Sequence, residues 1–298
     1  MWIQSFVDYL RYERNYSQRT IEAYQADLEA FRQFYKALDE EITWDTLDKD
    51  VVRQWVVSLM DKGNAPSSVS RRLSSVKSLY KFLLRRNYVK KDPSYTITAP
   101  KKTKPLPTFL RESEMNLLLD EVKFPVGYKG ERDYLILLMF YSTGIRVSEL
   151  VGLKLEDVDL SLGQLKVLGK RNKQRVVPFG EELTLALQKF LEERKAFFPE
   201  LTDSKHPLFV DDRTRGNMKI SQVQTVVKKY LSMVTTQKKK SPHVLRHTFA
   251  TSMLNHHADL QSVKELLGHK SLSTTEVYTH TTFEELKEMY NLAHPRAK

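Results

Sequence analysis

Apolar residues recur at three- and four-residue steps through much of the first hundred positions, the spacing of amphipathic helices. Ser17 opens one such run, followed by Thr20, Ile21, Tyr24, Leu28 and Phe31. A second helix is expected over residues 50–60, ended by Lys62-Gly63-Asn64 and restarted after Pro66. A third is expected over residues 67–86. There Val69, Leu73, Val76, Tyr80 and Leu83 form one buried stripe, and Arg71, Ser74, Ser78, Lys81 and Arg85 lie opposite.

The pattern changes after residue 97. Residues 98–108 (TAPKKTKPLPT) hold three prolines and three lysines, which disfavour helix and sheet and keep the segment solvated. The domain boundary is expected there, between residues 1–97 and 109–298. Beyond it a helical pattern covers residues 111–122, and an apolar stretch at 134–141 leads into Ser142-Thr143-Gly144-Ile145-Arg146. Residues 164–168 alternate, 169–173 turn and 174–179 return, which predicts a hairpin. Helices are expected over residues 181–197, 220–234 and 241–255. Ser273-Thr274-Thr275-Glu276 reads as a capping box, placing Tyr278 in the first turns of a short helix. Phe283, Leu286, Tyr290 and Ala293 make residues 283–293 amphipathic.

Charge adds a partner to this outline. The 298 residues carry a net charge of +11 and a pI near 9.5. That balance suits a polyanion, because each phosphate neutralised releases a condensed counterion. Simple solubility would explain it equally well, so location decides. From Lys62 to Lys91 there are nine Lys or Arg and no acid, whereas a solvated face mixes signs. DNA contact is therefore expected from Arg71, Arg72, Lys77, Lys81 and Arg85, with Lys101, Lys102 and Lys104 of the linker. The hairpin adds Arg171, Lys173 and Arg175. Cysteine is absent, which excludes disulfides and thiolate chemistry and fits a reducing compartment. No apolar run approaches the roughly 20 residues that span a bilayer, and the opening MWIQSFVDYLRYERNYS lacks a cleavage signal. A cytoplasmic protein with no membrane partner is expected.

Four segments of the second half carry residues suited to a phosphodiester. Arg146 in TGIRVSEL follows a very apolar helix, so partial desolvation would direct it to an oxyanion. The bland alternative is an exposed Arg paired with Glu149. The hairpin tip Gly169-Lys170-Arg171-Asn172-Lys173, with Lys166 and Arg175, holds five cations and no acid. Ser241-Pro242 fit a helix start and place His243 and Arg246 one turn apart on one face. His243 and His247 are also four apart, as zinc ligands are, but the Glu of a metalloprotease helix is missing and no third ligand is evident. Finally, Leu267-Gly268-His269-Lys270 precedes Tyr278-Thr279-His280.

These motifs resemble a known family. TGIRVSELVGL, HVLRHTFAT, LLGHKSLSTTEVYTH and the hairpin GKRNK, in this order, are similar to the tyrosine recombinases, or phage integrases. Bacterial Xer recombinases are the nearest likeness, and FVDYLRYERNYSQRTIEAYQADL extends it to their core-binding domain. The resemblance implies a mainly α, two-domain fold: an all-α SAM-like core-binding domain, then an α+β catalytic domain of the tyrosine recombinase type with a small antiparallel sheet. It implies Tyr278 as nucleophile, Arg146 and Arg246 clamping the scissile phosphate, and Lys170 protonating the 5′-oxygen. His243 would assist proton transfer, His269 would bond the phosphate, and Glu149 would support the site from behind. No metal, ATP or other cofactor is implied. The implied partners are a double-stranded recombination site and a homo- or hetero-tetramer on DNA, with a second Xer-type recombinase and an activating septal DNA translocase as further candidates. Residues 283–298 would dock on a neighbouring protomer.

Two positions depart from the pattern. Arg171 stands where Xer proteins tend to have glycine, and His257 stands at a glycine position that ends a helix. Histidine tolerates left-handed backbone well enough for that turn to survive. The implied role is chromosome-dimer resolution. The rivals are the integrase of a mobile element, a type IB topoisomerase and a non-catalytic DNA-binding protein.

Overall fold

The computed structural model describes residues 2–101, 108–169, 174–268 and 282–297. The chain divides into two compact units, Met1–Pro105 and Leu106–Lys298. No helix among the described residues is long and apolar enough to cross a membrane.

The first unit is helical. Helix α1 (Trp2–Asp8) runs into a π-helical turn, and α2 (Gln18–Leu38), α3 (Lys49–Asp61) and α4 (Pro66–Arg85) follow. Each start has a local cause. The Ser17 side chain accepts from the Thr20 amide, Asp48 accepts from the amides of Asp50 and Val51, and Pro66 occupies the first turn of α4. The stripe expected on α4 is buried against Phe6, Leu28, Phe31 and Trp55, while Arg71, Ser74, Lys81 and Arg85 are exposed opposite it. Helix α1 was not anticipated. It spans only 7 residues, too short for periodicity to stand out, although Ile3, Phe6, Val7 and Leu10 all enter the core.

The second unit is built around α6 (Tyr128–Thr143), buried along most of its length. A short helix α5 (Glu112–Asn116) precedes it, and α7 (Val147–Gly152) follows. The sheet is antiparallel in the order β1 (Val158–Asp159), β2 (Gln164–Leu168), β3 (Gln174–Pro178). The expected hairpin strands are therefore present, while β1, with only 2 residues, had no readable pattern. In the register Val167 faces Arg175 and Leu165 faces Val177. Leu165, Val167 and Val177 are buried, so Arg175 sits on the inward face. Helices α8 (Glu181–Phe197), α9 (Ile220–Val234) and α10 (Pro242–Asn255) match expectation. Helix α11 (Leu260–Leu267) had no sequence assignment.

Two turns bear on the site. Helix α6 ends at Gly144 with φ +59°, where a Cβ would fall 2.4 Å from Phe249 Cδ1, so glycine is required twice over. His257 has φ +67°, the left-handed turn that its position called for.

The tail helix α12 (Phe283–Ala293) covers its own unit. Tyr290, Ala293 and Ala297 join Phe249, Met253 and Leu266 in one buried cluster. Arg296 is paired with Glu182 at 2.6 Å and with Asp120 at 2.5 Å. The apolar face that sequence reasoning directed to a neighbouring protomer is occupied here by the chain itself.

Candidate active site

Glu149 lies on α7, behind the left-handed turn that ends α6. Its carboxylate accepts from the Arg146 amide and from Arg146 Nη1, each at 2.8 Å. Arg175 reaches it from β3 with both terminal nitrogens, at 2.8 and 3.0 Å. The Glu149 side chain is only 2% exposed. Burial pushes its carboxyl pKa up, but hydrogen bonds and charge from Arg175 and Arg146 outweigh that and hold it below the usual range. A buried carboxylate is stable only when so paired.

Arg246 projects from the first turns of α10. It is buried, and its guanidinium donates to the carbonyls of Gly144 and Leu267. Burial is the main cause that draws its pKa down to about 10, with the Arg146 charge adding to the effect and Glu149 opposing it. At neutral pH it stays a cation. Arg146 also donates through Nη2 to the Gly268 carbonyl at 3.0 Å. Among the described residues, the side chains of Arg146 and Arg246 each use two of their five N–H groups. Arg146 and Arg175 bond the Glu149 carboxylate and Arg246 is close enough to feel its charge, which among the described residues leaves two net positive charges in a half-desolvated place. That excess suits one singly charged phosphodiester, whose nonbridging oxygens two guanidiniums can neutralise.

His243 is exposed in the first turn of α10, and His247 lies one turn on. Burial, then His243 and Arg246, lower the pKa of His247. No three His, Asp or Glu groups come together as metal ligands among the described residues. Lys170, Arg171, Lys173, His269 and Tyr278 lie outside the described residues, as do Lys102, Lys104 and the expected capping box at 273–276.

The expected DNA-contacting cations divide. Lys81, Arg85 and Lys101 are exposed, and Lys77 is half-buried with its amine 3.4 Å from the Tyr95 carbonyl. Arg71 is half-exposed, yet both its terminal nitrogens bond Asp27, a buried carboxylate that also accepts from Ser75 at 2.8 Å. Arg72 lies 3.9 Å from the same carboxylate. Arg175 points inward to Glu149. Sequence reasoning grouped it with the hairpin cations and missed that place. The signal was available, since alternation along β3 puts Arg175 on the face of Val177.

Comparison with known proteins follows the same lines. Residues 108–285 match the phage integrase family and residues 3–87 match its N-terminal SAM-like domain. The chain is 41% identical to the tyrosine recombinase XerC of Chlorobaculum parvum, over 99% of this chain and 95% of that one. It is 37% identical to the tyrosine recombinase XerD of Oceanobacillus iheyensis, over 99% and 98%. Among solved structures, XerH bound to a palindromic difH substrate in a post-cleavage complex superposes with a TM-score of 0.71 at 20% identity, over 98% of this chain and 94% of that one. A lambda integrase tetramer on a Holliday junction gives 0.69 at 16% identity, over 91% and 74%. At such identities these two show the fold alone.

Proposed function

The chain belongs to the phage integrase family of tyrosine recombinases, and from that premise we propose that it cuts and rejoins DNA at a specific site through a 3′-phosphotyrosine. The observation that carries the proposal is the pair Arg146 and Arg246, both bonded to the end of one helix, with Arg146 also fixed by one buried carboxylate. In the proposed step the Tyr278 oxygen attacks the scissile phosphorus, and the bond to the 5′-oxygen breaks. Arg146 and Arg246 hold the nonbridging oxygens, His269 adds a hydrogen bond, and Lys170 gives the departing 5′-oxygen its proton. His243 assists proton transfer. A tyrosine of pKa about 10 gains nucleophilicity from this positive surround. One phosphodiester is exchanged for another, so the reverse attack by a second 5′-hydroxyl needs no external energy.

Four protomers on two sites would exchange strands in pairs through a Holliday junction, the tail then leaving its own unit for a neighbour's. The role proposed is chromosome-dimer resolution, which relatives called XerC and XerD support. Lys81, Arg85, Lys101 and the hairpin cations Arg171 and Lys173 would carry phosphate contacts.

The test is covalent trapping on a nicked duplex carrying the host's candidate recombination site. Wild type should give a denaturation-resistant adduct, and Tyr278→Phe should give none. An adduct that persists in Tyr278→Phe would remove Tyr278 as nucleophile, and binding without any adduct would favour the non-catalytic reading.

A further inference from the structure

Three consecutive carbonyls close α11, and each accepts from a different arginine. Arg175 Nε reaches Leu266 at 3.1 Å, Arg246 Nη2 reaches Leu267 at 2.6 Å, and Arg146 Nη2 reaches Gly268 at 3.0 Å. This is the helix end where aligned peptide dipoles leave partial negative charge. Gly268 is left-handed, with φ +63°, and a Cβ there would meet the Arg175 guanidinium at 3.2 Å. Arg175 therefore touches both the carboxylate that holds Arg146 and the point where the chain leaves α11 for residues 269–281.

We propose that Arg175 is a positioning residue for strand cleavage. It joins Glu149 to the end of α11, and so sets the spacing between the Arg146–Arg246 clamp and the segment that carries Tyr278. It does this without touching DNA. Its side chain is 16% exposed, it stands opposite buried Val167, and its Nε, Nη1 and Nη2 all have partners within the unit. The inference rests on the function proposed above, and it separates Arg175 from the hairpin's phosphate contacts.

Charge balance gives the inference a signature. Among the described residues the native cluster has three cations, Arg146, Arg175 and Arg246, and one anion, Glu149. Removing Arg175 leaves Glu149 with Arg146 as its one bonded partner among the described residues, and Arg146 is drawn toward the carboxylate and away from phosphate. Removing the Glu149 charge instead leaves three guanidiniums without a counter-ion. Removing both restores the native excess of two positive charges.

Single-turnover cleavage and equilibrium binding on the nicked duplex, with melting temperature alongside, test this for Arg175→Met, Arg175→Lys, Glu149→Gln and the double variant Arg175→Met with Glu149→Gln. Arg175→Met should cleave about 100-fold more slowly, the scale of a misplaced reacting group, with DNA affinity within about threefold. Arg175→Lys keeps the charge but not the fork, and should recover only part of the rate. The double variant should cleave about tenfold faster than Arg175→Met, a coupling between touching residues that general loss of fold would not produce. Affinity that falls in step with cleavage would make Arg175 a DNA contact, and additive losses would rule out the route through Glu149. If wild type forms no adduct, the function proposed above fails instead. The arrangement is then read from the Glu149 carboxyl titration by carbon NMR, which Arg175→Met should shift upward. An unmoved titration overturns the inference.

Discussion

Arg246 Nη2 lies 2.6 Å from the carbonyl oxygen of Leu267, tying the first turns of α10 to the last residue of α11. The same guanidinium donates to Gly144, at the end of α6. Both α6 and α11 end at left-handed glycines. The residue proposed to neutralise the transition state is thus also a structural tie, and its two roles can be separated.

Arg246→Lys should lose both. One ammonium cannot serve both carbonyls in that planar arrangement, so stability should fall by about 1–3 kcal/mol as a buried acceptor goes unpaired. Adduct formation should fall by about 10²–10³-fold, the cost of one lost oxyanion donor. Arg146→Lys, at a side chain 32% exposed, should lose similar activity with a smaller shift in the urea midpoint. Equal midpoint shifts would contradict the structural half of this argument.

In the first unit, Arg71 and Arg85 should behave differently although both were grouped as DNA contacts. Arg71→Met leaves the buried Asp27 without its bidentate partner. A cost of about 2 kcal/mol is expected, below the range for a fully buried pair because Arg71 is itself half-exposed. Arg85→Met removes an exposed cation whose nearest bond is to the Tyr9 hydroxyl at 3.2 Å, so its melting temperature should stay put while DNA affinity falls and the salt dependence flattens. Calorimetry with a salt titration of binding reads both.

Gly144→Ala should be among the more damaging single methyl additions in the chain. It combines a strained φ with a Cβ 2.4 Å from Phe249 Cδ1 and 2.9 Å from Leu267 Cδ2. A loss of about 2–4 kcal/mol is expected from strain plus overpacking. It also shifts a carbonyl that Arg246 uses, so cleavage should fall with it. A denaturation midpoint within about 0.5 kcal/mol of wild type would show that this turn yields more easily than its contacts indicate.

Docking of the tail on its own unit should depend on pH through His294. Its ring is buried between Tyr290, Phe249 and Tyr141, its Nε2 bonds the Tyr141 carbonyl, and its Nδ1 accepts from the Arg296 amide. Burial is the main cause that lowers its pKa to about 4, with the charges of Arg296 and His256 adding to it. A folded pKa below the unfolded one means that the unfolded chain binds the proton first. Stability from this group is therefore present above about pH 6.5 and lost as pH falls toward about 4, by about 3 kcal/mol in total. Melting temperatures at pH 7 and pH 5 should differ more for wild type than for His294→Phe. Parallel curves would exclude His294 as the titrating group.

Much of the frame was legible because the patterns are local. Helices α8 and α9 fall where a 3.6-residue repeat and its boundaries placed them, and the hairpin falls where alternation did. His257 accepted the left-handed turn because that is a property of one residue's backbone. What escaped was short or distant. Helix α1, helix α11 and strand β1 hold too few residues for a period to show.

By itself the sequence determined the family, the two-unit helical plan and the residue types suited to phosphate, since each is written in contiguous stretches. Only the tertiary structure decided that Arg146, Arg175 and Arg246 converge on one helix end and that Arg175 faces inward to Glu149. Those contacts join residues 21 to 122 positions apart. They follow from how α6, α10 and α11 pack, and no local pattern encodes packing between segments so far apart.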